Sequence, residues 1–234
     1  MRMRHKPYAR PELAAWPRYV PQPDDLRGQW ASFFDDPTKP LRVELGCGKG
    51  GFLAQLALRN TGYNYLGVDI KSEMLVVAKR TIERLYANAG QQPGNIAITS
   101  RNIEQIEQTL ATTDRVHRVY INFCNPWYKT GYAKHRLTHP RQLFQVRQFL
   151  PEGGEVWFKT DDTPLFEDSL RYFAHAGFEV TWLSRDLHRG EPAWNIRTEH
   201  ENMFAAEGVP IKACIAGVRP AQLERAAIFR LKNI

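Results

Sequence analysis

Leu41-Arg42-Val43-Glu44-Leu45-Gly46-Cys47-Gly48-Lys49-Gly50-Gly51 decides how this chain is read. A mostly apolar run over residues 41–45 gives way to glycines at every second position, and an amphipathic segment over 51–59 follows. Strand, glycine turn and helix in that order open a nucleotide-type βαβ unit, and Gly51 completes a G-x-G-x-x-G frame. Working outward, the alternation continues. Residues 63–68 predict a second strand and 71–86 a helix, with Met74, Val77, Ala78, Ile82 and Leu85 recurring every three or four positions. Further strands are expected over 96–99, 116–123, 155–158, 178–183 and 212–216, and helices over 103–110, 140–149 and 164–176, with Gly177 closing the last. Seven strands alternating with helices imply a mostly parallel sheet covered on both faces. In such sheets ligands bind at the carboxyl ends of the strands.

Two acids sharpen the glycine loop. Glu44 stands two residues before Gly46, and Asp69 ends the second strand, where a carboxylate can accept hydrogen bonds from ribose hydroxyls. A pyrophosphate gains nothing from Glu44, because like charges repel. A sulfonium-bearing amino-acid cofactor does gain, so S-adenosylmethionine is favoured over a nicotinamide dinucleotide. The structural alternative for Glu44 is a helix cap or a salt-bridge partner.

The 234 residues suit one large α/β domain and bury most of a single core. A net charge of +7 favours a polyanionic partner. The charge is concentrated: from Arg115 to Pro151 there are seven Lys/Arg, three His and no acid. Inside that stretch lies Asn125-Pro126-Trp127-Tyr128-Lys129. Trp127 can stack on a base or pack as core. Lys129 suits a phosphate or guanine O6, or plain solvent. His135, Arg136, His139 and Arg141 are read as phosphate-facing. Three cysteines, Cys47, Cys124 and Cys214, without zinc spacing point to a reducing compartment and no metal. No apolar run reaches a membrane span and residues 1–10 form no secretory signal, so a cytoplasmic protein is expected.

Here the motifs take on a family likeness. VELGCGKGGF and NYLGVDI resemble the first two motifs of the Rossmann-like S-adenosylmethionine methyltransferases, and LPEGGEVWF resembles the entry to their fifth strand. INFCNPWYKTGYAKHRLTHPRQL, then FKTDD and TEHENMF, are similar to the tRNA (guanine-N7)-methyltransferase family, over about residues 41–211. The resemblance implies a single class I methyltransferase domain with a seven-stranded sheet. It implies S-adenosylmethionine as cofactor and tRNA as partner, with methylation at N7 of a guanine in the variable loop, position 46. It assigns cofactor contacts to Glu44, Gly46, Gly48, Asp69, Asn102 and Asn125. Trp127, Lys129, Asp161, Thr198 and Glu201 become substrate contacts, and Asn125 the catalytic position.

One departure stands out, since the family most often has Asp where this chain has Asn125. Two rivals follow from it: a tRNA-binding protein with weakened or lost catalysis, and an amino-methyltransferase acting on another RNA base. Several assigned residues also have plain structural readings. Asn102 and Asp162 are candidate helix N-caps, and Thr198-x-x-Glu201 is a capping box. The expected organisation is a basic, Pro-rich, mostly extended arm over 1–40, the methyltransferase domain over 41–217 and an extension of unassigned role over 218–234. Either a monomer or a homodimer is compatible with the sequence.

Overall fold

The computed structural model describes residues 6–219. Its elements are α1 (Ala9–Ala14), β1 (Tyr19–Val20), β2 (Leu41–Leu45), α2 (Gly51–Arg59), β3 (Asn64–Asp69), α3 (Ser72–Asn88), β4 (Ile96–Ser100), β5 (Val116–Asn122), α4 (Pro140–Val146), β6 (Glu155–Thr160), α5 (Thr163–His175), β7 (Phe178–Ser184), α6 (Glu199–Ala206) and β8 (Lys212–Val218). Short 3-10 turns link several of them. The segment predicted as a helix over 103–110 is one of these, Ile103–Gln108, bent at Gln105.

One sheet runs in the order β1-β4-β3-β2-β5-β6-β8-β7. Pairings from β1 through β6 are parallel, and β8 lies antiparallel between β6 and β7. All of β2 is buried because strands flank both its edges and helices cover both its faces. Leu41, Val43 and Leu45 join Val119, Ile121, Val156 and Phe158 under α4 and α5. Tyr65, Ile96, Ile98 and Tyr120 face α1, α2 and α3. The chain moves from β2 to β3 on one side and returns as β5 on the other, so the strand order reverses between β2 and β5. A crevice at their carboxyl ends is the expected ligand position.

The sheet has eight strands rather than the seven expected, because the N-terminal segment adds one. Residues 6–40, expected as a mostly extended arm, fold onto the domain. Leu13 and Trp30 are fully buried, and Ala9, Trp16, Val20 and Phe34 are nearly so. Glu12 of α1 pairs with Arg80 of α3 at 2.6 Å. Thr99 Oγ1 donates to Val20 O at 2.7 Å, which fastens β1 to the sheet edge. Asp114 accepts from the backbone N–H groups of Gly28, Trp30 and Ala111. These buried aromatic and aliphatic anchors outweigh the seven prolines that break any helical or strand period here. Residues 1–5 of the expected arm and 220–234 of the expected extension lie outside the described residues.

Candidate active site at the carboxyl edge of the sheet

Three left-handed glycines shape the loop after β2. Gly46, Gly48 and Gly50 have φ of 81°, 52° and 71°. Gly50 is also tight: a Cβ there would lie 2.9 Å from Ala78 Cβ and push α2 off α3. The loop is laced to β3, where Gly46 N and Cys47 N both donate to Val68 O. Asp69 Oδ2 accepts from Gly48 N at 3.0 Å, and its Oδ1 accepts from Lys71 N at 2.9 Å. Ile70 beside it is 59% exposed, an apolar side chain open to solvent at the carboxyl end of β3.

Glu44 lies on the α2-facing side of the sheet, 3% exposed. Its Oε1 accepts from Asn122 Nδ2 at 2.9 Å. Its Oε2 is buried and has no partner among the described residues. Burial pushes the Glu44 carboxyl up to about 8, the Asn122 hydrogen bond and the Lys159 charge hold it down, and Asp69 adds to the rise. A buried acceptor without a donor is costly. This one stands on the strand that leads into the glycine loop, and a buried carboxylate oxygen without a partner fits the amino group of a cationic ligand.

Asn122 ends β5, and the backbone beyond it is strained. Phe123 and Trp127 have φ of 53° and 43°, a region non-glycine residues avoid. Asn125 is exposed, and its Oδ1 accepts from Trp127 N at 3.0 Å, so it closes a turn on itself. Trp127 is 37% exposed and forms an aromatic triangle with Tyr132 and His135, at centroid separations of 5.8 and 5.5 Å. Lys129 is exposed. Asn102 caps the turn at Ile103, accepting from Glu104 N, as its structural reading predicts.

Of the four residues expected to face phosphate, three do other work. Arg136 is 7% exposed and props the loop from beneath, donating through Nε to Pro126 O at 2.7 Å and pairing with Asp168 at 2.6 Å. His135 pairs with Glu104. His139 caps α4 by accepting from Arg141 N, and burial lowers its pKa. Only Arg141 is exposed. Arg115 precedes β5 and Arg118 lies near its start, at the end opposite the carboxyl edge. A count of cations along the chain carries no information on which of them are consumed as props and caps.

The T-x-x-E segment opens α6. Thr198 Oγ1 accepts from Glu201 N at 3.0 Å and Glu201 Oε2 accepts from Thr198 N at 3.3 Å, a reciprocal capping box. Glu201 is completely buried, and both its oxygens are engaged. Lys159 Nζ lies 2.7 Å from Oε2, while Asn195 Nδ2 and His188 Nε2 approach Oε1 at 2.7 and 3.0 Å. The expectation that Glu201 reaches a base directly therefore meets a closed carboxylate. Desolvation raises its pKa, and Lys159 with the hydrogen bonds from Asn195 and His188 more than reverses that. Asp161 is half-buried, and its carboxylate accepts no hydrogen bond from a described residue; its backbone oxygen accepts from Lys212 Nζ at 2.8 Å. Asp162 caps α5, as expected. Phe123 stacks on His200 and Phe204 of α6 at 6.1 Å, and Lys49 pairs with Glu199 at 2.6 Å, so α6 touches both loops.

Sequence reasoning missed Asn122, Lys159, Asn195 and His188. His188, Glu191 and Glu201 bring potential metal-ligand atoms within 4.8 Å of one another, but Lys159 and Arg197 already neutralise the two carboxylates. Among the described residues no helix is long and apolar enough to cross a membrane.

Comparison with known proteins bears on the family and the fold. The family described as "Putative methyltransferase" matches residues 38–214. A protein named tRNA (guanine-N(7)-)-methyltransferase from Ruminiclostridium cellulolyticum is 52% identical over 217 residues, 92% of each chain. One of the same name from Clostridium perfringens is 47% identical over 216 residues, 92% of this chain and 99% of that one. Among solved structures, an antibiotic-related methyltransferase superposes with a TM-score of 0.57 at 15% identity, covering 83% of this chain and 92% of the other, a likeness of fold alone.

Proposed function

The chain belongs to the tRNA (guanine-N7)-methyltransferase family, and from that premise we propose that it methylates the guanine at position 46 in the variable loop of tRNA. It is an enzyme that uses S-adenosylmethionine as methyl donor and a tRNA guanine N7 as acceptor. The observation that carries the reading is the buried, unpartnered Oε2 of Glu44 beside the glycine loop.

When bound, S-adenosylmethionine supplies a methyl group on a sulfonium. Glu44 Oε2 would accept from its amino group and offer negative charge to the cation. Gly46 and Gly48 would let the backbone approach the cofactor with no Cβ at those positions, Asp69 would take the ribose hydroxyls, and Asn102 and the apolar Ile70 would border the adenosine. Guanine N7 is a lone-pair acceptor with no proton to remove, so attack needs no general base. The protein's task is to hold N7 in line with the methyl carbon in a pre-organised pocket.

Asn125 shapes the substrate loop through its turn onto Trp127 and presents its amide to the reacting centre. Trp127 supplies a stacking face. Lys129 reaches O6 or a phosphate. Asp161 accepts from guanine N1–H and the 2-amino group, which selects guanine over adenine. Thr198 borders the base, and Glu201 holds Thr198 in place from behind. The base leaves its stack to enter the crevice. On this reading the enzyme works in the cytoplasm without a metal, as a monomer or homodimer. The methyltransferase unit is residues 41–217, with 6–40 as its cover.

The test is methyl transfer from tritiated S-adenosylmethionine to unmodified tRNA transcripts carrying guanine or adenine at position 46. Label in the guanine transcript that is lost on reduction and aniline cleavage, with none in the adenine transcript, is the expected result. Label equal in both transcripts refutes the position. No label with both ligands bound favours a binder whose catalysis failed at Asn125.

A further inference from the structure

Sheet register brings three polar side chains together on the face that α2 covers. Glu44 of β2 lies opposite Tyr120 of β5, and Asn122, two residues further on, lies opposite Lys159 of β6. Asn122 holds Glu44 Oε1. Lys159 is 6% exposed, and its three ammonium hydrogens are all used, on Glu201 Oε2 at 2.7 Å, Ile196 O at 2.9 Å and Asn195 Oδ1 at 3.0 Å. Phe52 of α2 lies beneath, its ring centroid 5.3 Å from Nζ. Lys159 is also among the residues lining a cavity of about 300 Å³ between α2 and the loop 193–196. A lysine at the end of a strand is ordinarily solvated. This one is a buried cation between a carboxylate of the cofactor crevice and the carboxylate that starts α6.

We propose that Lys159 is a positioning residue for methyl transfer: one buried ammonium, neutralised by Glu201 and adjoining Asn122, that couples the charge of Glu44 in the cofactor crevice to the placement of Thr198 at the start of α6. The inference rests on the function proposed above. The groups that act on Lys159 are Glu201 of α6, Glu44 of β2 and Glu191 of the preceding loop; Asp69 faces Glu44 from β3. His188 and Asn195 complete the cage around Glu201. Removing either partner of a buried pair leaves the other uncompensated. The two removals therefore push Glu44 in opposite directions. Without the ammonium, Glu44 becomes harder to ionise. Without the Glu201 charge, an unneutralised ammonium makes it easier to ionise.

The experiment measures S-adenosylmethionine affinity against pH from 6 to 9, with tRNA KM and kcat, for wild type, Lys159→Met and Glu201→Gln. Thermal melts report folding. In Lys159→Met the pH midpoint of cofactor affinity is expected to rise by at least half a unit, with a tenfold or greater rise in tRNA KM. In Glu201→Gln the midpoint is expected to fall. A general packing defect weakens binding at every pH and moves neither midpoint. Should Lys159→Met not fold, the Glu201→Gln midpoint alone decides: unchanged or raised, it overturns the proposal. Unchanged midpoints and tRNA KM within twofold in folded variants overturn the coupling and leave the methyltransferase reading standing. A wild type that binds no S-adenosylmethionine at any pH overturns both.

Discussion

Asn122 donates its side-chain amide to Glu44 Oε1 at 2.9 Å and leaves Oε2 buried without a partner. The two residues come from strands that meet only because the sheet order reverses between β2 and β5. One oxygen is satisfied by the protein, and on the proposed function the other receives a ligand that brings its own positive charge.

This has a cost in the unliganded protein. Burial raises the Glu44 carboxyl to about 8 from an ordinary value of 4.5. For an acid whose folded pKa is raised, the unfolded chain loses its proton first. Its destabilising contribution starts near pH 4.5, grows as pH rises and levels off above 8. Glu44→Gln keeps an acceptor for Asn122 and removes that contribution. Thermal melts of the unliganded variant should show a Tm several degrees above wild type at pH 8 and a far smaller gain at pH 5. Calorimetry should show S-adenosylmethionine bound at least tenfold more weakly by the variant at pH 8.

Asn125→Asp should raise kcat. The Asn125 turn uses its side-chain oxygen, which Asp retains, so the loop geometry survives the change. What Asp adds is negative charge near the cationic N7-methylguanosine as it forms. A gain of about 1.4–2.7 kcal/mol corresponds to roughly 10- to 100-fold in rate. Single-turnover methylation at fixed pH measures it, and an unchanged or lower rate refutes the argument. Asn125→Ala loses the turn and should be slower than either.

Arg136 and Lys129 should separate cleanly. Arg136→Met removes the prop under Pro126 and Trp127 and leaves Asp168 without this partner, at a stability cost of about 2–3 kcal/mol. It should lower kcat/KM without changing the salt dependence of tRNA binding. Lys129→Ala should leave Tm unchanged and reduce the slope of log K against log salt by about 0.7. Lys129, Lys134 and Arg141, the three exposed cations that follow β5, predict a slope of about −2, where all seven cations of the stretch would give about −5; Arg115 is exposed too but precedes β5, at its far end. Filter binding between 50 and 300 mM salt distinguishes the two.

Trp127→Ala should raise tRNA KM and leave cofactor affinity unchanged. A base stacked on an aromatic ring contributes about 1–3 kcal/mol, or roughly 5- to 100-fold. Equal losses of tRNA and cofactor binding would show that Trp127 supports the crevice rather than the base.

The core of the fold was legible because it is local. An apolar run, alternate glycines and a 3.6-residue period report directly on β2, the loop and α2. Thr198 and Glu201 read correctly as a capping box, since both partners lie within four residues. The N-terminal cover was not legible. Prolines at 11, 17, 21 and 23 interrupt the segment that carries Leu13, Trp16 and Trp30, and its anchors bury against residues far along the chain, Trp30 Nε1 donating to Thr109 O. Lys159 and Arg136 were illegible for a related reason. Whether a cation is solvated or consumed depends on Glu201, Asn195, Asp168 and Pro126, which no spacing rule connects to them. Glu44 could be singled out from the sequence because its charge contradicts a phosphate site, a chemical argument that needs no tertiary contact, and the structure adds its burial and its unpartnered Oε2.

The most direct test of the account is calorimetric titration of S-adenosylmethionine at pH 7 in two buffers of different ionisation enthalpy. With the Glu44 carboxyl raised to about 8, the unliganded site is mostly protonated at pH 7, and the cationic ligand binds its ionised form. The account predicts release of close to one proton per ligand in the wild type and none in Glu44→Gln. Tight binding to the wild type with no proton release would contradict it.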